Sequence, residues 1–434
     1  MHSEILYSCF GLSRQALKAY KRDDSGPYAN PYPGTNVEAR NRLEYRTFIS
    51  HHQFLIGSGF APLCKRFEKS IASHFNAFRS GISGDWVHGE DFMHVFKHTL
   101  LAPALIDSVV GPALLERDPD FLANFWTIDD NVWSLTSRLP KFLIPKPHVA
   151  LNKCLAAVKE WHAWAKEHSD PTATTVDSGE DDAYWGSKFV RERQVLFSTI
   201  DGQNQDTIAS QDLGFLWGSN HNTVTSAFWL FADVFLRPEL LQRIRKEAGS
   251  CQIESPERGL PKFDMERLQR QPYAQAVYAE TLRLRTHGVI LRQPSQDLQL
   301  NEWSIPKGSP VVTSSTTAHM NAAVWSAPQR GSRPATEFYP ERFFLPKSES
   351  AEPEFSMSGT DGSWVPFGGG VHACPGRRFV KYETILTLAI LVTVFDIEIL
   401  ASRKDLEMSE RRFGFGVLEP RGRVPFRIRA RASV

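Results

Sequence analysis

Residues 366–379 read PFGGGVHACPGRRF. Three glycines lead to one cysteine, Cys374, which is followed at once by Pro375, Gly376 and two arginines. A metal-bound thiolate needs groups that stabilise the anion, room for a large ligand to approach the backbone, and a fixed direction. Gly368, Gly369 and Gly370 remove side chains, so backbone can lie close to a flat cofactor and adopt unusual dihedrals. Pro375 and Gly376 open a helix, whose positive dipole end then points at the sulfur and favours the thiolate. Phe367 is placed to pack over the loop and keep water away. Two other readings stay open on these residues alone. One is a structural cysteine in a glycine-rich turn. The other is a nucleophilic cysteine with His372 as its base.

The glycine loop sits in an otherwise ordinary chain. It has 434 residues, 41% hydrophobic and 23% charged, and a formal net charge of +1. That is ample material for a core, and no charge excess marks a nucleic-acid binder. The five cysteines, Cys9, Cys64, Cys154, Cys251 and Cys374, are scattered and form no CxxC pair. A disulfide framework or structural zinc site is not expected, and a reducing compartment is. The N-terminal MHSEILYSCFGLSRQ has no apolar signal region, and no run reaches the length of a membrane span. The nearest, TILTLAILVTVF at 384–395, reads as a core helix.

Upstream of the cysteine, the pattern is mainly helical. A continuous helix is predicted from about Thr207 to Leu236, roughly 45 Å long at 1.5 Å per residue. Pro238 then opens another. PYAQAVYAETLRLR at 272–285 reads as a helix, and LQLNEWSIPKGSPVVTSS at 298–315 as short strands. A last helix follows the cysteine, about 377–395. Three polar stretches, 21–36, 169–187 and 346–363, read as surface loops rather than domain boundaries.

Two further motifs stand in register with the cysteine. Glu280 and Arg283 lie three apart on one helix face. PERF follows at 340–343 and supplies Arg342, whose planar fork suits a carboxylate. Each is weak alone. Their order with the cysteine loop, at about 60 and then about 30 residues' spacing, is specific.

Together, Phe367-x-x-Gly370-x-x-x-Cys374-x-Gly376, ExxR and PERF resemble the cytochrome P450 superfamily. The resemblance implies a mainly α P450 fold: a helical haem-binding domain with a minor β part, spanning 1–434 as one domain. It implies haem b (iron protoporphyrin IX) with Cys374 as proximal ligand, pushing electron density toward O–O cleavage. Phe367, Gly370, His372 and Gly376 fall at cofactor-contacting positions. His372 replaces the usual propionate-binding arginine, and Arg292 falls where the other propionate is met. Glu280, Arg283 and Arg342 are implied to form a structural network. By this resemblance the front of the family pattern, with its membrane anchor and first β-sheet strands, is expected to be missing from the sequence, and the Trp-x-x-x-Arg helix is not recognisable.

The central helix departs from the family most. In LWGSNHNT at 216–223, the acid position is His221 and the alcohol position Asn222, with Thr223 next. Six small or polar residues amid apolar ones need partners or water, and they permit a kink. This resembles the branch of sterol 7α- and 12α-hydroxylases and prostacyclin synthase. The resemblance implies that Ser219, His221, Asn222 and Thr223 handle oxygen and protons. Trp217, Ser219, 288–290 and 413–418 are expected to line a lipophilic pocket. The implied reaction is monooxygenation of a sterol, terpenoid or other secondary metabolite. Electrons would come from an NADPH-cytochrome P450 reductase facing Arg377, Arg378 and Lys381, at the cytosolic face of the endoplasmic reticulum membrane. A peroxide isomerase or dehydratase is the alternative within the family. A non-catalytic haem-binding remnant is the alternative outside it. The sequence looks fungal.

Overall fold

The structure, a computed structural model, describes residues 2–170, 179, 182–254, 259–345 and 352–431. Of the polar stretches above, 171–178, 180–181 and 346–351 lie outside the described residues. The chain divides into two compact units. The first comprises Met1–Gly81, Met93–Val224 and Arg378–Glu383; the second comprises Ile82–Phe92, Thr225–Arg377 and Thr384–Val434.

The first unit is helical. Its helix Phe60–Ser80 buries Leu63, Phe67, Ile71 and Phe75, spaced four apart, against helix Leu101–Val110. That apolar stripe at helical period explains why the segment is a helix and which face it hides. Helix Pro145–His168 opens on proline at its first turn, where no backbone donor is needed, and packs on Phe121–Asp130. The described end of the second polar stretch closes tightly, with Asp182 and Gly186 exchanging both backbone hydrogen bonds. Gly186 has φ +71°, and a Cβ there would stand 1.9 Å from the Val110 carbonyl carbon. No side chain fits, so glycine is required on both counts.

All the named strands belong to the second unit. One antiparallel sheet orders Val87–Gly89, Phe426–Ala430 and Phe395–Ile399, with Val87 opposite Ile428 and Phe426 opposite Ile399. Another orders Val311–Ser314, Thr286–Arg292 and Phe415–Val417. The expected strands at 298–315 are a hairpin, Leu298–Leu300 with Trp303–Ile305, followed by the edge strand of that second sheet. Asn301, at φ +50°, makes the hairpin turn.

Three helices position the site. The central helix is Gln205–Phe235, 31 residues without interruption, so the small and polar residues at 218–223 do not break its α-helical pattern. Asn204 caps it, its Oδ1 accepting from the Thr207 N–H at 2.9 Å. Arg237 leaves helical geometry and Pro238 begins the next helix, as expected. The ExxR helix is Pro272–Arg285. The cysteine helix is Arg377–Val394, with Ile385, Leu386 and Leu388–Val392 all buried. The apolar run there is a core helix, and no helix among the described residues is long and apolar enough to cross a membrane.

Candidate active site

The cysteine loop is built by backbone bonds that glycine permits. Gly368 and Gly370 adopt φ +70° and +71°, a region that costs other residues free energy. The turn Gly370–His372 follows, and the Ala373 N–H donates to the Gly370 carbonyl at 3.0 Å. The Cys374 N–H reaches back to the Phe367 carbonyl at 2.9 Å, closing the loop. Gly376 is the N-cap of the cysteine helix, so Cys374 sits just ahead of its positive end. Phe367 is half-buried and meets Trp364 edge-on, ring centres 6.0 Å apart.

The loop suits a flat ligand. A Cβ added at Gly368, Gly369 or Gly370 would meet no atom within 4 Å, so the glycine run presents bare backbone to open space. Cys374 is half-buried. Arg292, at the end of its strand, donates from Nη2 to the Gly369 carbonyl at 3.0 Å and is otherwise exposed. The structure thus joins Arg292 to the glycine run across 77 residues of sequence. His372 is exposed on the same loop. A soft sulfur donor, a side-chain-free backbone and cationic or imidazole groups at its rim fit a haem with two anionic propionates.

Behind the loop lies the buried network. The Glu280 carboxylate accepts from Arg283 Nε at 2.7 Å and Nη2 at 2.8 Å, from Arg342 Nε at 3.0 Å, and from the Tyr339 N–H at 2.9 Å. All three charged side chains are 0–1% exposed. Arg283 also donates to the His319 carbonyl at 2.7 Å, and Arg342 donates to the carbonyls of Trp325, Pro334 and Glu337. All three nitrogens of each guanidinium group donate within this network, a structural role as the sequence implied.

His319 extends the network to the loop. Its Nε2 accepts the Val365 N–H at 3.0 Å, and its Nδ1 faces the Thr286 carbonyl at 3.3 Å, which fixes Nδ1 as the protonated nitrogen. Burial lowers its pKa to about 4. Sequence reasoning passed over His319, since one histidine in a short helix carries no local signal.

On the central helix the four candidate catalytic residues part company. Gly218 is exposed, a Cβ there would meet nothing within 4 Å, and Asn222 one turn later is half-buried. These two mark the open face. Ser219 is half-buried and its hydroxyl donates to the Leu216 carbonyl of its own helix at 2.9 Å. His221 turns the other way: its Nδ1 is 2.6 Å from Oδ1 of Asp129, on helix Phe121–Asp130. Thr223 is buried and shares a hydrogen bond with Glu383 of the cysteine helix. Burial holds the Glu383 carboxyl well above the usual range. Asp129 and Glu383 were not legible beforehand. Nothing local marks the aspartate in WTIDDN or the glutamate nine residues past the cysteine.

The expected pocket-lining segments at 288–290 and 413–418 adjoin, since Gly288 pairs with Phe415 across two antiparallel strands. Trp217 donates from Nε1 to Asp129 at 2.8 Å. Of the three basic residues after the cysteine, Arg377 and Arg378 are exposed. Lys381 is half-buried, and desolvation lowers its pKa.

Comparison with known proteins agrees with this architecture. The family model described as Cytochrome P450 matches residues 113–426. A cytochrome P450 monooxygenase of Humicola fuscoatra is 31% identical over 418 residues, covering 90% of this chain and 71% of that one. The human 7α-hydroxycholest-4-en-3-one 12α-hydroxylase is 30% identical over 255 residues, covering 56% of this chain and 47% of its own. That relative belongs to the branch which the central helix resembles. Among solved structures, a retinoic-acid-bound cyanobacterial P450 superposes with a TM-score of 0.64 at 19% identity, covering 91% of this chain and 81% of that one. The chain belongs to the cytochrome P450 family, and is a haem-dependent oxidoreductase of its monooxygenase class.

Proposed function

We propose that this chain hydroxylates a lipophilic polycyclic small molecule, a sterol or terpenoid of secondary metabolism, with electrons from an NADPH-cytochrome P450 reductase. The observation that carries the reading is the cysteine loop: a half-buried thiol at a helix start, beside three glycines whose outer side is open. The reaction balances as R–H, dioxygen, two electrons and two protons giving R–OH and water. A sterol hydroxylase and a fungal monooxygenase among the relatives support the substrate class.

In this reading Cys374 is the iron ligand, and haem b, when bound, supplies dioxygen activation and insertion of one oxygen atom into a C–H bond. The chain supplies the rest. The glycine run lets the ring lie against backbone, and Phe367 shields the sulfur from water. Arg292 and His372 neutralise the propionates, and the bond from Arg292 to Gly369 keeps its fork at the loop. Asn222 and Ser219 offer polar groups on an otherwise apolar helix face, where they orient water and the proton it carries.

Membrane-surface placement fits one further feature. Trp133, Phe142, Leu143 and Val149 are 48%, 80%, 60% and 54% exposed, and the same stretch carries Arg138, Lys141 and Lys146. Exposed apolar side chains among cations match an anionic lipid interface, here the cytosolic face of the endoplasmic reticulum.

The test is the absorption spectrum of the dithionite-reduced protein under carbon monoxide, beside Cys374→Ala. A strongly red-shifted Soret band that the variant loses is expected. Turnover of a sterol and terpenoid panel with NADPH and reductase should then exceed turnover with peroxide alone. A band that survives Cys374→Ala, or conversion of a peroxide without any reductase, would overturn the reading.

A further inference from the structure

Asp118 is the C-cap of helix Ala113–Arg117. Its Oδ1 accepts the Asp120 N–H at 3.0 Å. The residue is half-buried, yet no cation among the described residues pairs with its carboxylate. Arg117 beside it is turned elsewhere, its guanidinium 4.9 Å from the centre of the Trp164 ring. Other shielded carboxylates of the helical first unit are matched: Asp107 meets His74 and Asp182 meets Arg191, each at 2.8 Å. Taking a charge out of water without a partner is costly, which sets Asp118 apart from them.

Asp118 lines a cavity of about 410 Å³, the size of a small-molecule site. All the lining residues lie in the first unit, and none belongs to the cysteine loop, the buried network or the central helix. Ala77 and Phe78 come from helix Phe60–Ser80, one turn past His74 on the same face. Pro103, Leu115 and Leu122 add apolar wall from three further helices. Helix starts, at Pro103 and Leu122, and a helix end, at Leu115, meet here. Both signs of backbone dipole are present, so the side chains decide the charge.

Those side chains are acidic or neutral. No lysine or arginine is among the described residues that line the cavity. Burial lowers the pKa of His98, in the wall, to about 4, so its ring is neutral at pH 7. Any proton on His74 is matched by the Asp107 carboxylate. The half-buried Phe78 ring attracts a cation that lies over its face.

We propose that this cavity is an accessory binding site for a small organic cation with an apolar body, a quaternary or protonated amine carried on a ring, whose charge Asp118 neutralises. An anion would be repelled by the carboxylate, and a neutral molecule would bury it further without a partner. The site shares no residue with the proposed oxidation chemistry, and it holds or fails independently of that reading.

The test uses the haem-loaded protein saturated with clotrimazole, an azole that ligates the iron and occupies the haem pocket. Benzyltrimethylammonium, which cannot ligate iron, is the probe. Phenylmethanesulfonate is the control of like size and opposite charge. Saturation transfer to the trimethylammonium proton signal reads binding. The cation should bind saturably, the anion about tenfold more weakly or less, and added salt should weaken the cation. Asp118→Asn keeps the Oδ1 acceptor for Asp120 and should weaken the cation about tenfold. Ala77 is exposed, so Ala77→Trp obstructs the cavity from its outer wall and should abolish binding. Both variants should keep the wild-type thermal midpoint and reduced carbon monoxide spectrum. Absence of saturable binding overturns the proposal, as does equal binding of cation and anion. Wild-type affinity in Asp118→Asn or in Ala77→Trp overturns it too. If one variant does not fold, the other decides, together with the salt dependence, which needs no variant: binding of the cation that ignores salt overturns the role of the carboxylate.

Discussion

Glu280 accepts four hydrogen bonds inside a region from which water is excluded, and two of its partners are guanidinium groups that cannot lose their charge. The worth of such a group shows on removal rather than in its presence. Glu280→Ala leaves Arg283 and Arg342 as buried cations without an anion, a loss of about 3–5 kcal/mol. Glu280→Gln keeps the shape and one acceptor but not the charge, and should lie between alanine and wild type. Thermal midpoint and retained haem, followed together, check this ordering. An alanine variant that melts with wild type would mean that the surrounding carbonyls hold both arginines unaided. Both arginines were readable from spacing alone, because ExxR places its pair on one helix face and PERF follows in fixed order. The Asp129–His221 pair was not, because 92 residues separate its members and neither lies in a motif. His221 reads as an anomaly in a familiar pattern, and only the fold shows where its ring points.

Between elements, His319 couples the strand–helix corner at Thr286 to the segment that enters the cysteine loop. Its neutral ring is required, since protonating Nε2 removes the acceptor for the Val365 N–H. The folded-state pKa, about 4, lies below the ordinary value of 6.5. The unfolded chain therefore binds this proton first. The stabilisation is fully present above pH 6.5 and is lost as pH falls toward 4, about 3 kcal/mol in all. Acid should loosen the loop in that window, read as a falling thermal midpoint and earlier haem release. In His319→Gln the part of the pH slope between 6.5 and 4 should flatten. If wild type and variant run parallel there, other groups dominate acid sensitivity. The elements themselves were largely legible. The ExxR helix begins and ends where proline and the arginine-rich turn place it, and the cysteine helix follows Gly376. The pairing of Thr286–Arg292 with Phe415–Val417 was not legible as a sheet, because strand partners so far apart leave no mark on either sequence.

Over the whole chain, we propose that residues 1–434 behave as one domain. Neither compact unit is a continuous piece of sequence, since each is assembled from three stretches. Four of the five crossings fall inside helices: Phe92 to Met93 in helix Phe92–His98, Val224 to Thr225 in the central helix, and Arg377 to Arg378 and Glu383 to Thr384 in the cysteine helix. An α-helix binds each N–H to a carbonyl four residues back, so the hydrogen-bond ladder of the central helix runs on through Val224 and Thr225. Helix formation is cooperative, and loss of one half strips hydrogen bonds and packing from the next turn of the other. The apolar half of the central helix, with Phe228, Trp229 and Phe231 at 0–1% exposure, cannot lose its surroundings without exposing a large apolar area. The expected outcome is a single calorimetric endotherm, with the calorimetric and van't Hoff enthalpies agreeing and haem absorbance lost at the same temperature. Two resolved endotherms would separate the units and refute the single domain. A cysteine-helix variant such as Leu388→Ala, about 2–5 kcal/mol destabilised by the cavity it leaves, should shift the endotherm as a whole rather than split it.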